Sequence, residues 1–228
     1  MDIDRWLHVY GQICEDFEFD PAKDLESAEK LASMLGGRGL VALEGVRKGF
    51  PERVLVCGGG RRLADELSSL AFDGFVVAAD SATSVLSESG ISVDMIVTDL
   101  DGLVEDQIKL NSEGSTVFVH AHGDNQGAVS RYVGRFEGAV VGTCQCRPPV
   151  GLVNYGGFTD GDRAACISAE LGAKTILLAG FDFENPSEKP GKSMEVKRRK
   201  LRWARTILES LERDGVRVLP ATEKGGPW

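Results

Sequence analysis

The stretch GFVVAADSATSVLSESGISVDMIVTDLD, residues 74–101, reads as strand, helix and strand in turn. Gly74 to Ala79 and Met95 to Thr98 are short, unbroken apolar runs. A strand covered on both faces reads that way, because neither face needs polar residues. The first run is followed by Asp80-Ser81 and a helix to Ser89; the second ends directly in Asp99. Apolar run, acidic junction and helix is the texture of a parallel sheet built from crossover units.

The same texture continues on both sides. Val54 to Cys57 reads as a strand, then Gly58-Gly59-Gly60, then a helix over about 61–70. Thr116 to Val119 reads as a strand ending in His120, with a helix over about 126–136 and a short strand from Ala139 to Val141. A helix from Asp160 to Leu171 leads to a strand from Thr175 to Ala179. A long amphipathic helix follows, with Met194, Leu201, Ala204, Leu208 and Leu211 on one face, and Val216 to Leu219 reads as the last strand. The predicted fold is α/β: a doubly wound, mainly parallel sheet with helices on both faces. The first 50 residues read as a helical, peripheral extension (1–50) ahead of the α/β catalytic domain (51–228). Within it Asp24 is expected to cap a helix through Leu25, Ala28, Leu31 and Leu35, closed by Gly36-Gly37.

Length and charge bound the function. At 228 residues the chain is about one and a half times the usual ~150 per domain, and no disulfide or metal staple is needed. Lys and Arg number 26 against 35 Asp and Glu, a net charge of −9, which disfavours nucleic-acid and membrane-surface partners. No apolar run approaches the ~20 residues of a membrane span. The start, Met1-Asp2-Ile3-Asp4, lacks a signal peptide's basic and apolar parts, so a cytoplasmic location is expected. Cys14, Cys57 and Cys166 read as buried thiols. Cys144-Gln145-Cys146 lacks the second pair a structural zinc site needs.

In doubly wound sheets ligands bind outside the carboxyl ends of the strands. Here those ends carry Asp80, Asp99 with Asp101, His120 with His122, Asp124 and Asn125, and Asp182; Asp160, Asp162 and Arg163 open a helix nearby. Carboxylates converging on one rim repel unless a cation or proton sits among them, although each Asp can also cap a helix. Asp99 and Asp101 flank Leu100 in a turn that can put both on one side, which suits Mg²⁺, a hard ion with oxygen ligands. His120-Ala-His122 is open to metal ligation, to hydrogen bonding beside phosphate or to a structural role. Gly58-Gly59-Gly60 is either an anion cradle or a tight turn. The polar loop 184–191, followed by Lys192, is a candidate lid.

At these residues a resemblance emerges. Ala79-Asp80-Ser81, Gly90-Ile-Ser-Val-Asp94 and Val97-Thr-Asp99-Leu-Asp101-Gly102 resemble the ADGG…G…PD…GDLDS pattern of thiamin pyrophosphokinases. HAHGDN (120–125), NYGGFTDGDRA (154–164) and GFDF (180–183) resemble a narrower group, the archaeal 6-hydroxymethyl-7,8-dihydropterin pyrophosphokinases or MptE-like family. Lys197 and Lys200-Leu201 are similar to that family's basic helix, so the likeness spans about 53–205. Ser81-Ala82 replaces the thiamin enzymes' double glycine, HAHGDN replaces an acidic block, and their C-terminal β-sandwich is not expected here. The acceptor implied is therefore a pterin.

The resemblance implies a thiamin-pyrophosphokinase-like catalytic domain that uses ATP and Mg²⁺ to make AMP and a pterin diphosphate for folate or methanopterin-type coenzymes. It implies Asp99 and Asp101 as Mg²⁺ ligands and Asp124 as a third ligand or base. His120 and His122 would donate to phosphate; Gly58, Gly59, Asp80, Ser81, Asp160, Asp162, Arg163, Lys197 and Lys200 would face the nucleotide. Asn125 and Asp182 would meet the pterin. Partners are then small molecules, with a homodimer left open. The rival readings are a thiamin pyrophosphokinase, a non-catalytic nucleotide-binding domain and a metal-dependent phosphohydrolase. A dinucleotide oxidoreductase is disfavoured, since the glycine fingerprint is missing.

Overall fold

The computed structural model describes residues 2–184 and 193–222. Most of the expected lid, 185–191, and Lys192 lie outside the described residues. Three helices come first: α1 (Ile3–Phe17), α2 (Pro21–Leu35) and α3 (Arg38–Arg47). Then follow β1 (Arg53–Cys57), α4 (Leu63–Ser69), β2 (Phe75–Ala79), α5 (Ala82–Glu88), β3 (Met95–Thr98) and α6 (Val104–Ser112). The chain continues with β4 (Thr116–Ala121), α7 (Gln126–Tyr132), a 3₁₀ turn (Val133–Arg135), β5 (Val140–Cys144), α8 (Asp160–Leu171), β6 (Thr175–Ala179), α9 (Met194–Arg213) and β7 (Arg217–Pro220).

All seven strands form one parallel sheet in the order β5-β4-β3-β2-β1-β6-β7. Val56 lies between Val77 and Leu178 at its centre, all in continuous apolar strands. Each fully buried Val or Leu there contributes about 1.5–3 kcal/mol. The chain walks outward from β1 to β5, then returns to the other side of β1 for β6 and β7. Right-handed crossovers therefore put α4 to α7 on one face and α8 and α9 on the other. α8 packs on β1, β2, β3 and β6, and α9 packs on α8 and β7. The reversal between β1 and β6 is the topological switch point, where such sheets open a crevice.

Several local expectations are corrected. α2 starts at Pro21 with Asp20 as its cap, accepting from the Ala22 amide at 3.0 Å. Asp before a proline at the first helical position is the stronger start signal. Asp24 lies one turn inside, on the buried face. The N-terminal helices are not peripheral: Trp6, Ile13, Ala28 and Leu31 are fully buried, and α2 and α3 pack on β5. β4 runs on through His120 and Ala121, because both pair with β5 at Thr143 and Cys144. β5 correspondingly occupies Val140–Cys144, and α6 was not foreseen. All five cysteines are free and buried. Among the described residues no helix is long and apolar enough to cross a membrane.

Candidate active site

A cleft of about 450 Å³ opens along the carboxyl ends of six strands. Its lining follows the sheet order: Gln145 after β5, His122 and Asp124 after β4, Asp99 and Asp101 after β3, Asp80 and Ser81 after β2, Gly58 to Gly60 after β1, and Gly180 to Phe183 after β6. The start of α8 contributes Asp160 and Arg163, and α9 contributes Lys197 and Lys200.

The centre is acidic. One carboxylate oxygen each from Asp80, Asp99 and Asp101 lies within 4.8 Å of the others. Two left-handed residues build this cluster: Asp80 at φ 42° and Leu100 at φ 67°. Leu100 is buried, and its amide donates to Thr98 Oγ1 at 2.9 Å. Holding non-glycine residues in this region takes energy, and such strain gathers at functional sites. Asp80 accepts from Thr98 Oγ1 at 3.0 Å and Gln107 Nε2 at 3.1 Å. Burial, then the charges of Asp101 and Asp99, push its pKa up to about 6. Burial also acts to raise Asp99, but its hydrogen bond with His122 and the nearby Arg163 charge outweigh that and hold it below the usual carboxylate range. Asp160 is raised well above that range by burial and by Asp99, despite its 2.9 Å pair with Arg163. Three hard oxygen donors in one cluster fit a divalent cation such as Mg²⁺.

His122 is fixed on both nitrogens. Nδ1 accepts the Asp124 amide at 3.3 Å, so Nε2 carries the proton toward Asp99 Oδ2 at 3.4 Å. This tautomer is assigned from the bonding pattern. The three glycines serve close packing. Gly58 and Gly60 donate their amides to the carbonyls of Ala179 and Gly180, at 2.8 and 2.9 Å. A Cβ on Gly60 would come within 2.4 Å of the Gly180 oxygen, and one on Gly59 within 2.3 Å of Ser81 Oγ. Two of the three amides are thus unavailable to an anion, although all three residues line the cleft.

Three expected site residues do not line it. His120 is buried inside β4, with Nδ1 3.0 Å from Thr143 Oγ1; burial drives its pKa well below the ordinary histidine value. Asn125 is consumed internally: its amide nitrogen donates to the carbonyls of Asp99 and His120 (2.8 and 2.7 Å), and its oxygen accepts the His122 amide (2.9 Å). Asp162 forms a capping box with Thr159 at the start of α8 and also accepts the Phe158 amide at 2.6 Å. The Thr-x-x-Asp spacing carried that signal in the sequence. The other expected residues, including Lys197, Lys200 and Asp182, do line the cleft.

The family model described as "6-hydroxymethylpterin diphosphokinase MptE-like" matches residues 26–188. The chain belongs to the MptE-like family. Three proteins named 6-hydroxymethyl-7,8-dihydropterin pyrophosphokinase are similar over nearly their whole length. The one from Methanothermobacter thermautotrophicus is 39% identical, covering 94% of this chain and 97% of that protein. Those from Pyrococcus furiosus and Methanocaldococcus jannaschii are 38% and 34% identical, with similar coverage. A solved α-2,3-sialyltransferase from Campylobacter jejuni matches with 13% identity and a TM-score of 0.47, over 76% of this chain and 77% of that one, too distant to inform the site.

The acidic cluster falls inside the matched MptE-like region, but part of the wall does not. Phe19 precedes it, and Lys197 and Lys200 follow it; Asp24, also ahead of it, is buried behind the wall. Asp24 accepts from Tyr10 Oη at 2.5 Å, Gln145 Nε2 at 2.7 Å and the Gly123 amide at 2.6 Å. Ser27 Oγ reaches Asn125 Oδ1 at 3.3 Å. α2 therefore holds the 122–125 loop against the cleft. Phe17, Phe19 and Phe158 form an aromatic cluster, with ring centroids 5.3 to 6.3 Å apart. The sequence reading gave no role to Phe19, Phe158, Gln145, Gln107 or Gly102, although Phe158 and Gly102 lie inside the NYGGFTDGDRA and Val97–Gly102 blocks that carried the resemblance.

Proposed function

We propose that this protein transfers the terminal diphosphate of ATP to the hydroxymethyl group of 6-hydroxymethyl-7,8-dihydropterin, giving AMP and the pterin diphosphate. The observation that supports it best is the Asp80, Asp99 and Asp101 cluster at the carboxyl rim, in a chain whose relatives carry that enzyme name. The pterin oxygen attacks the β-phosphorus, the bond from that phosphorus to the α,β-bridging oxygen breaks, and AMP leaves. Such transfers depend mainly on positioning and charge stabilisation.

In this reading Asp80, Asp99 and Asp101 hold Mg²⁺, which when bound neutralises phosphate charge. His122 orients Asp99 through its Nε2 proton. Asp124, exposed in the cleft, takes the hydroxyl proton. Lys197 and Lys200 supply positive charge from α9. Arg163 is turned inward, donating to Asp160 and to the Phe158 carbonyl at 3.0 Å, so it braces the start of α8. Residues 1–50 act as a helical extension that closes one end of the site of the 51–228 catalytic domain. The product, with diphosphate as a leaving group, suits synthesis of a folate or methanopterin-type coenzyme in the cytoplasm.

The test is acceptor choice. With ATP and Mg²⁺, AMP release is expected with hydroxymethyldihydropterin and not with thiamin. Release with thiamin alone would reassign the acceptor; nucleotide binding without AMP from either alcohol would mark a binding domain.

A further inference from the structure

We infer that the pterin ring lies against Phe19 and Phe158 at the β4–β5 end of the cleft, while the adenine lies against Phe181 at the β1–β6 end. This rests on the diphosphokinase reading and deepens it. The strand order makes the rim linear, and the acidic cluster after β2 and β3 sits between its two ends. With strands about 4.8 Å apart, the rim from β5 to β6 spans roughly 24 Å. A transfer at the cluster therefore puts one ring system on each side of it.

The two ends differ. At the β1–β6 end lies the switch point, where doubly wound sheets take nucleotides. Its wall is close-packed glycine backbone with Phe181, whose ring stands 6.0 Å from that of Phe183. The other wall is aromatic, and the segment after Phe19 meets the loops after β4 and β5, since Asp24 accepts the Gly123 amide at 2.6 Å and Gln145 Nε2 at 2.7 Å. Phe19 and Phe158 line the cleft at 6.3 Å and 53° to each other, with Phe17 behind both at 5.3 Å. Phe19 is fixed by the N-terminal segment, since Asp16 binds Arg199 at 2.6 Å and Trp203 Nε1 at 2.9 Å. Lys200 Nζ stands over the ring of the buried Phe158, 5.6 Å from its centre, so the half-buried Phe19 offers the flat apolar face, with a cation close by. Such a face suits a planar heteroaromatic ring whose hydroxymethyl arm points toward phosphate. The N-terminal extension thereby becomes a specificity element.

The experiment measures two affinities in the full-length protein with Mg²⁺: fluorescent 6-hydroxymethylpterin, and an α,β-methylene ATP analogue by calorimetry. Phe19→Ala is expected to weaken pterin binding about tenfold, with nucleotide affinity within about twofold of the parent. Phe181→Ala is expected to do the reverse. Phe19→Leu, which keeps apolar bulk but removes the π face, serves if the alanine variant does not fold, and is expected to weaken pterin binding several-fold. Unchanged pterin affinity in the folded Phe19 variant, or a loss that falls on the nucleotide, overturns the assignment while leaving the diphosphokinase reading intact. A parent protein that binds the nucleotide analogue and no pterin overturns both.

Discussion

Gly102→Ala tests the acidic cluster without altering any charged residue. A Cβ at Gly102 would stand 2.6 Å from Asp80 Oδ2 and 2.7 Å from Oδ1. Its φ lies outside the left-handed region, so the backbone itself accepts alanine. A relaxed carbon–oxygen contact needs about 3.4 Å, so the carboxylate must withdraw by about 0.8 Å. Metal–oxygen distances tolerate about 0.2 Å, and the bonds from Thr98 and Gln107 would stretch with the movement. Disturbing such a support weakens metal binding by about 10–100-fold. Overpacking costs about 1–3 kcal/mol, a few degrees of melting temperature in a chain this size. The assay is the rate of AMP release against free Mg²⁺. Half-saturation should move at least about tenfold upward. Gly127→Ala, with nothing within 4 Å of its Cβ, is the control and should not move it. A Gly102→Ala protein with the parent's Mg²⁺ dependence would refute the assignment of Asp80 to the cation.

Asp99→Asn should cut turnover by at least about a hundredfold while the far-ultraviolet spectrum stays unchanged; near-normal turnover would contradict its role as a ligand. Asp24→Ala strands three donors, Tyr10, Gln145 and the Gly123 amide, so about 3 kcal/mol is lost and the melting temperature falls by roughly 6–12 °C; a shift under about 2 °C would contradict the bracing role of α2. In metal-free protein Asp80, raised to about 6, keeps its proton in the folded state when the unfolded chain has lost it. Its contribution is complete below about pH 4 and lost as pH rises through about 6, on the order of 3 kcal/mol. Urea midpoints of the parent should therefore fall relative to Asp80→Asn across that window; parallel curves would contradict the buried, charge-crowded setting of Asp80.

The sheet was legible because its strands are buried on both faces. Val54–Cys57 and Met95–Thr98 are unbroken apolar runs in sequence and core strands in the fold. The acidic rim was legible for a related reason: a parallel sheet presents its strand ends together, so Asp80, Asp99 and Asp101 had to meet. Residues whose roles depend on distant partners were not legible. Gly58 to Gly60 look like an anion cradle until Gly180, far along the chain, takes up the space. Asn125 looks free to read a ligand, yet its amide is spent on Asp99 and His120. Phe19 carried no local signal, since the Asp16–Arg199 contact that seats it joins opposite ends of the chain. α6 escaped because Leu103 provides no side-chain cap.

The most direct test of the account is the phosphorus spectrum of a reaction of the protein with ATP, Mg²⁺ and 6-hydroxymethyl-7,8-dihydropterin. The account predicts equal amounts of AMP, which keeps the α-phosphorus, and a pterin-linked diphosphate, whose two phosphorus atoms descend from the β and γ positions of ATP. ADP with a pterin monophosphate, or free orthophosphate without a pterin product, would contradict it.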